Sequence, residues 1–209
     1  MLVAIALADA EGLAAVSLRK VAGALDAGPM RLYNYLSTKE ELLDLMADAV
    51  YGEIVELGPP VGQWRSALRE LAHRVRHAAL RHEWFVELLG GRPSLGPRSF
   101  DYLELSFSIL DGVSGFDDID AVMAAVRAVH AYVIGGIRSE ITDRVAERTT
   151  GLNESSWQAA AHGVTERRLA TGRYPTLAKV VEQATDSGPA TTFDAGLDYV
   201  LDGIAGRIG

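Results

Sequence analysis

The chain has 209 residues, of which 48% are hydrophobic and none is cysteine. A chain of this length and composition can bury a sizeable core, and without cysteine it forms no disulfide, thiolate nucleophile or zinc–thiolate site. The apolar opening from Met1 to Ala8 lacks a basic flank and is shorter than the roughly 20 residues that span a bilayer. We therefore expect a folded protein of the cytoplasm that makes no contact with a membrane.

The net charge is −8, but positive charge is concentrated in one short segment. Between Ser17 and Lys39, four basic residues accompany one acidic residue, Asp26, which gives this segment a charge of +3. Lysine and arginine displace counterions from DNA phosphates, so a local basic segment matters more for DNA binding than the total charge. The charge pattern directs attention to this segment as a nucleic-acid surface.

Apolar residues recur with helical spacing along the chain, and strand-like alternation is absent, which predicts an all-α fold. The Pro59-Pro60 pair cannot continue a helix and separates a first domain, residues 1–57 with a connecting helix over 38–57, from a larger helical domain over 61–209. The predicted helices cover residues 2–11, 17–25, 29–36, 38–57, 62–82, 83–90, 97–113, 117–147, 154–171, 175–186 and 191–207.

Two short helices of the first domain meet at a tight turn. Ser17 is suited to cap the first helix, the turn follows at residues 26–28, and Pro29 suits the first turn of the second helix. Leu32 and Leu36 then face inward at i, i+4 spacing. This arrangement is typical of a helix-turn-helix, whose second helix presents side chains to the major groove of DNA.

The outer face of that second helix has the residue types that read DNA. Arginine pairs with guanine, asparagine pairs with adenine, and tyrosine hydrogen-bonds phosphate. Either tyrosine taken alone fits a half-buried core position equally well, and it is the combination that favours DNA. The side chains outside the leucine stripe are Met30, Arg31, Tyr33, Asn34 and Tyr35.

Lys39 lies in the first turn of the connecting helix. Ser37 with Glu40, or Thr38 with Glu41, is spaced to form a capping box there. The amide groups and dipole of a helix N-terminus favour an anion, so Lys39 is placed to help bind a DNA phosphate. An ordinary solvated lysine is the alternative.

The order and spacing of these motifs resemble TetR/AcrR-type transcriptional repressors. The resemblance is carried by Glu11-Gly12, Ser17-Leu18-Arg19-Lys20-Val21-Ala22, Leu32-Tyr33-Asn34-Tyr35-Leu36 and Lys39-Glu40-Glu41-Leu42, about the first quarter of the chain; the remainder resembles, loosely, a tetracycline-repressor-like ligand-binding domain. The chain departs from the family where Asp26 replaces a usual turn glycine, although aspartate tolerates a left-handed backbone. The resemblance implies DNA contacts from Ser17, Leu18, Arg19, Pro29, Met30, Arg31, Tyr33, Asn34, Tyr35 and Lys39.

Two helices of the second domain are candidates for a dimer interface, with packing inside the chain as the alternative. The final helix carries apolar and small residues side by side, and the long helix from Asp118 carries a glycine pair that permits close approach. By resemblance, these helices form a four-helix bundle that sets two reading helices about 34–36 Å apart. The apolar residues concerned are Val122, Val126, Val129, Val133, Ile137, Leu197, Val200, Leu201 and Ile204.

An aromatic-rich stretch of the second domain predicts an apolar ligand pocket with a few polar anchors, although a plain core role fits each of these residues as well. His73 and His77 have no third ligand at a diagnostic interval, so we expect no metal and no cofactor. The predicted pocket residues are Trp84, Phe100, Leu103, Phe107, Met123 and His130.

These patterns predict a ligand-responsive transcriptional repressor that binds double-stranded operator DNA as a homodimer. A small apolar or amphipathic effector is expected to shift the connecting helix and release the DNA. A helical small-molecule-binding protein without DNA-binding activity is the main alternative. An enzyme is a third possibility, for which no nucleophile or acid–base pair stands out. Activation of transcription is also possible, because the position of the operator in the promoter decides whether a bound regulator represses or activates.

Overall fold

The computed structural model describes residues 1–26, 35–91, 94–185 and 187–208. These residues form ten α-helices, a short 3-10 turn over Leu13–Ala15 and no strand, so the all-α prediction is confirmed. The predicted helix over 29–36 falls largely on residues 27–34, outside the described residues. The helices are α1 (Leu2–Glu11), α2 (Leu18–Ala24), α3 (Lys39–Val55), α4 (Trp64–Arg81), α5 (Phe85–Leu88), α6 (Pro97–Ser108), α7 (Ile119–Thr150), α8 (Glu154–Leu169), α9 (Pro175–Gln183) and α10 (Gly188–Ile208).

Polar caps fix the ends of the helices in the N-terminal region. The Ser17 hydroxyl accepts a hydrogen bond from the third backbone N–H of α2 at 3.2 Å. At α3 the Thr38 hydroxyl accepts from the Glu41 N–H at 3.1 Å, and the Glu41 carboxylate accepts from the Ser37 N–H at 2.6 Å. After α2, Asp26 has a φ of 50°, the one positive value among the described non-glycine residues. The predicted N-caps and the left-handed backbone of Asp26 are therefore confirmed, and residues 27–28 of the predicted turn lie outside the described residues.

The chain divides into two compact units. One comprises Met1–Arg138 with the segment that begins at Ala195, and the other comprises Ser139–Asp194. The first unit holds the main core, around fully buried side chains such as Phe85 and Met46. In the second unit, no residue of α8 or α9 is buried. The first unit continues across the predicted domain boundary between residues 57 and 61. The division into a DNA-binding domain and a ligand-binding domain therefore stays a prediction.

The apolar stripe of α7 packs inside the first unit. Its members Val122, Val126, Val129, Val133 and Ile137 are each at most 3% exposed, and Leu197 and Leu201 of α10 are fully buried. Their assignment to a dimer interface is therefore wrong, because helical periodicity identifies an apolar face and not the surface that covers it. The exposed positions of α7 include a row of small residues, Ala124, Ala128, Ala131 and Gly135, beside the larger side chains of Met123 and Arg127.

Among the described residues, α7 is also the one helix long and apolar enough to cross a membrane. Only 28% of the most apolar 18-residue stretch of α7 is buried within the chain. Length and composition alone are weak support for a membrane span, because a core helix of a soluble protein meets the same criteria.

Candidate DNA-binding surface and ligand cavity

The N-termini of α2 and α3 open onto one cleft of about 470 Å³. Arg19 is exposed at its rim, and Lys39 is half-buried with its ammonium donating to the Leu13 carbonyl at 3.3 Å. The first-turn amides of α3 add partial positive charge on the same side. The cleft thus combines two cationic side chains with a helix N-terminus, a combination suited to a phosphate. Its lining residues are Ser17, Leu18, Arg19, Ser37, Thr38 and Lys39.

The structure brings several of the predicted DNA-binding residues together. Ser17, Arg19 and Lys39 line the cleft, and Tyr35 is 85% exposed. The side chain of Leu18 is 7% exposed and packs into the core, so it supports the surface more than it forms it. The remaining predicted residues, Pro29, Met30, Arg31, Tyr33 and Asn34, lie outside the described residues.

A polar junction, formed by Asp9, Glu53, His82 and Trp84, ties α1 to the helices behind it. Asp9 Oδ1 lies 2.8 Å from His82 Nδ1 and accepts from the Trp84 indole N–H at 2.6 Å. His82 Nε2 lies 3.2 Å from Glu53 Oε1 on α3. His82 and Trp84 are buried, whereas the two carboxylates keep contact with solvent, and the hydrogen bonds connect α1 to α3 through the His82 imidazole.

A small apolar cavity of about 10 Å³ lies between α4, α6 and α7, room for about one water molecule. One polar pair stands at its wall: Tyr102 Oη is 2.9 Å from His130 Nε2, and the two rings are stacked with centroids 5.4 Å apart. The other lining residues are aliphatic: Leu68, Leu71, Ala72, Val75, Val126, Val129 and Val133.

Burial keeps both members of this pair uncharged. Removal from water lowers the pKa of His130 to about 4, so its imidazole is neutral at pH 7. Burial, together with the neighbouring Tyr51 phenol, raises the pKa of Tyr102 above its usual value. Burial also raises the pKa of Tyr51 to about 12. The polar atoms at the cavity wall are therefore hydrogen-bonding groups without formal charge.

Two contacts connect α6, which carries Tyr102, to α3, which begins at the cleft. The Tyr51 ring of α3 packs on the Tyr102 ring at 4.9 Å. One turn earlier, Asp48 Oδ1 accepts hydrogen bonds from the Ser99 N–H at 2.8 Å and the Ser99 hydroxyl at 3.1 Å. A Cβ atom on Gly96 would lie 2.1 Å from that carboxylate oxygen. Asp48, on α3, thus caps the first turn of α6. The carboxylate fits there because Gly96 has no side chain.

Residues 58–208 match the family model for the tetracyclin repressor-like C-terminal domain. The chain belongs to the TetR family of transcriptional regulators. The HTH-type transcriptional repressor DrrR1 of Streptomyces coeruleorubidus is 37% identical over 96% of this chain and 74% of its own length. An HTH-type transcriptional regulator of Saccharopolyspora erythraea is 33% identical over 99% of this chain and 83% of its own length.

Solved TetR-family structures share the fold. Apo ActR from Streptomyces coelicolor superimposes with a TM-score of 0.82 at 24% identity, over 100% of this chain and 93% of that one. ActR in complex with actinorhodin gives a TM-score of 0.80 at 25% identity, over 99% of this chain and 95% of that one. These relatives confirm the predicted function, a ligand-responsive transcriptional repressor of the TetR family.

Of the predicted pocket residues in this TetR-family chain, His130 lines the cavity. Trp84 lies at the polar junction with α1, and Phe100 and Met123 are 56% and 36% exposed. Leu103 and Phe107 are half-buried outside the lining. Whether these five contact a ligand stays a prediction. The sequence interpretation missed Asp48, Asp9 and Glu53, whose partners are 51, 73 and 29 positions away, a separation that leaves no local pattern.

Proposed function

We propose that this TetR-family regulator binds operator DNA through the cleft at the starts of α2 and α3. The observation that carries the proposal is the convergence of Arg19, Lys39 and the capped N-terminus of α3 on one open surface. Phosphates set the position of the protein on the duplex, and base contacts then specify the sequence. The predicted base-reading residues are Arg31 and Asn34, with Tyr33 and Tyr35 beside them and Met30 and Pro29 at the start of their helix.

The chain acts as a homodimer in this proposal. Tyr199 of α10 is 79% exposed, on a helix whose outer side also carries the small residues Ala195, Gly203 and Gly206. The exposed side of α7 likewise has a row of alanine and glycine, beside Met123 and Arg127. Small residues let helices of two copies approach closely, and a twofold axis places two reading helices about one DNA turn apart. A second copy thus accounts for the apolar outer side of α7 in a cytoplasmic protein without a membrane.

An effector bound in the first unit reaches the DNA-binding surface through α3. Displacement of Tyr102 disturbs its contact with Tyr51, and movement of α6 pulls on Asp48 through Ser99. Since α3 begins at Lys39, a shift of this helix alters the cleft itself. Couplings between such sites are typically about 1–3 kcal/mol, and they are reciprocal, so DNA must weaken effector binding by the same factor.

The chain performs no catalysis and needs no cofactor in this proposal. Several buried polar groups of the described residues are engaged in helix capping, in the α1 junction and in the neutral tyrosine–histidine pair. A hydroxyl lies beside a base at Ser99–Asp48 and at Tyr102–His130, but Ser99 and Tyr102 are both buried, and the cavity at the second pair has room for about one water molecule. A helical binding protein without DNA-binding activity is the alternative, and DNA binding separates the two.

The decisive experiment measures binding of the full chain to a fluorescent duplex from upstream of its own gene, at several salt concentrations. For Lys39→Ala we expect weaker binding and a slope of log affinity against log salt that is shallower by about one. Lys179→Ala, at an exposed lysine of α9, serves as the matched control and should keep the wild-type slope. Absence of DNA binding, or an unchanged slope in Lys39→Ala, contradicts the proposed surface.

A further inference from the structure

The cavity between α4, α6 and α7 has the chemistry of a site for an uncharged molecule. Seven of its nine lining residues are aliphatic, and none is lysine, arginine, aspartate or glutamate. A carboxylate or ammonium placed there would lose its hydration without gaining an opposite charge, which is strongly unfavourable. Apolar surface, in contrast, is favourably removed from water against these leucine and valine side chains.

The Tyr102–His130 hydrogen bond closes this cavity on its polar side. With about 10 Å³ of open space, a ligand larger than water has to displace part of the lining. Separating Tyr102 from His130 leaves one buried donor and one buried acceptor without partners. Each such unpaired group costs about 1–3 kcal/mol, so a ligand that replaces both hydrogen bonds has a clear advantage.

A hydroxyl group is the simplest group that meets this requirement. If the Tyr102 hydroxyl donates to His130 Nε2, an inserted hydroxyl accepts from Tyr102 and donates to the imidazole. If His130 carries its proton on Nε2, the same hydroxyl accepts from His130 and donates to Tyr102. An ether or carbonyl oxygen only accepts, so in the first arrangement it leaves His130 Nε2 without a donor. In the second arrangement it can accept from both groups, so the preference for a hydroxyl group belongs to the arrangement in which Tyr102 donates to His130.

We propose that the effector is an uncharged, mainly apolar alcohol or phenol whose hydroxyl group inserts between Tyr102 and His130. This inference rests on the proposed effector response and adds the chemical class of the ligand. Neutrality of the imidazole at pH 7 agrees with it, because a protonated ring would have no acceptor to offer. The hydroxyl group would also move the Tyr102 ring, which packs on Tyr51 of α3.

The test uses calorimetric titration of the full chain at pH 7 with matched probes on two carbon skeletons. One set is naphthol, methoxynaphthalene and naphthoate, and the other is geraniol, geranyl methyl ether and geranate. On at least one skeleton, the alcohol should bind about fivefold to tenfold more tightly than its methyl ether, and the carboxylate should not bind. Comparison within one skeleton keeps the carbon framework constant, and the extra methyl group of the ether is the same in the wild type and in the variants.

Variants then assign the preference to the polar pair. In His130→Leu, the alcohol and its ether should bind with nearly equal affinity, because the Tyr102 hydroxyl can donate to either oxygen. In Tyr102→Phe, both should bind more weakly and the alcohol should keep its advantage, because His130 still accepts from its hydroxyl group. His162→Leu and Tyr174→Phe, at exposed positions, are the matched controls and should keep the preference. The proposal is overturned if neither skeleton binds, if alcohol and ether bind equally, if the carboxylate binds best, or if His130→Leu keeps the preference.

The same samples are assayed for binding to the upstream duplex. DNA binding without any preference for the alcohol refutes this inference and leaves the DNA-binding function intact. A preference for the alcohol without DNA binding refutes the DNA-binding function and supports the hydroxyl site. The two proposals therefore fail independently.

Discussion

Replacement of Asp48 by alanine tests the connection between α3 and α6. Asp48 is 8% exposed and Ser99 is 2% exposed, so the two hydrogen bonds to Asp48 Oδ1 are shielded from water. Asp48→Ala leaves the Ser99 N–H and hydroxyl without this acceptor. A buried unpaired donor costs about 1–3 kcal/mol, and the hydroxyl can rotate to another acceptor, so we expect a loss of about 2–4 kcal/mol in the free energy of unfolding.

Asp48→Asn separates the hydrogen bonds from the charge. The amide oxygen still accepts from Ser99, but the interaction of a negative charge with the N-terminus of α6 is lost, which is worth about 1 kcal/mol. Asp101→Ala removes an exposed aspartate of the same helix, 3.4 Å from Arg98, and should change the stability by less than about 0.5 kcal/mol.

Urea unfolding followed by circular dichroism at a fixed protein concentration measures all three variants. The expected order of stability is wild type and Asp101→Ala, then Asp48→Asn, then Asp48→Ala. The reasoning is refuted if Asp48→Ala unfolds at the wild-type urea concentration, or if asparagine is as destabilising as alanine. Either result would mean that the carboxylate does not cap α6.

Two further predictions concern the same region. Gly96→Ala pushes a methyl group into the Asp48 carboxylate and should lower the free energy of unfolding by about 1–3 kcal/mol. In the double variant with Asp48→Ala, the loss should be smaller than the sum of the two single losses. Strictly additive losses would contradict the contact. For His130 the folded-state pKa of about 4 lies below the unfolded value of 6.5, so the unfolded chain binds more protons between these values. Above pH 6.5, His130 does not lower the free energy of unfolding. At pH 5 the free energy of unfolding is lower by about 2 kcal/mol, and the loss grows further near pH 4. Urea unfolding of His130→Leu should lack this component, and a pH dependence equal to that of the wild type would exclude it.

Local sequence patterns predicted the helices and their ends well because they are set by neighbouring residues. Ser17 and Thr38 cap the helices that follow them, and Asp26 takes the left-handed turn that its side chain tolerates. The order of these elements was also enough for the family resemblance, which the family model and relatives confirmed. Features determined within about four residues were thus accessible from the sequence.

Features formed by distant residues were not accessible in this way. The valines of α7 had the correct helical period, but the period does not distinguish a partner chain from the chain's own core. Trp84 was expected in the pocket because it is aromatic, yet its indole N–H bonds Asp9, which is 75 positions away. His130 lines the cavity, whereas its partner Tyr102 was not among the predicted pocket residues. Buried polar pairs have no periodic signature, so their partners emerged only from the fold.

The small volume of the cavity has a consequence for the speed of the response. In the proposed response, a cavity with room for about one water must open before an effector enters it, so only the open fraction of molecules captures the effector and the apparent affinity is reduced by that fraction. At high effector concentration, the association rate then levels off at the opening rate. The same opening limits escape, so a bound molecule has a long residence time and derepression outlasts a brief pulse of effector.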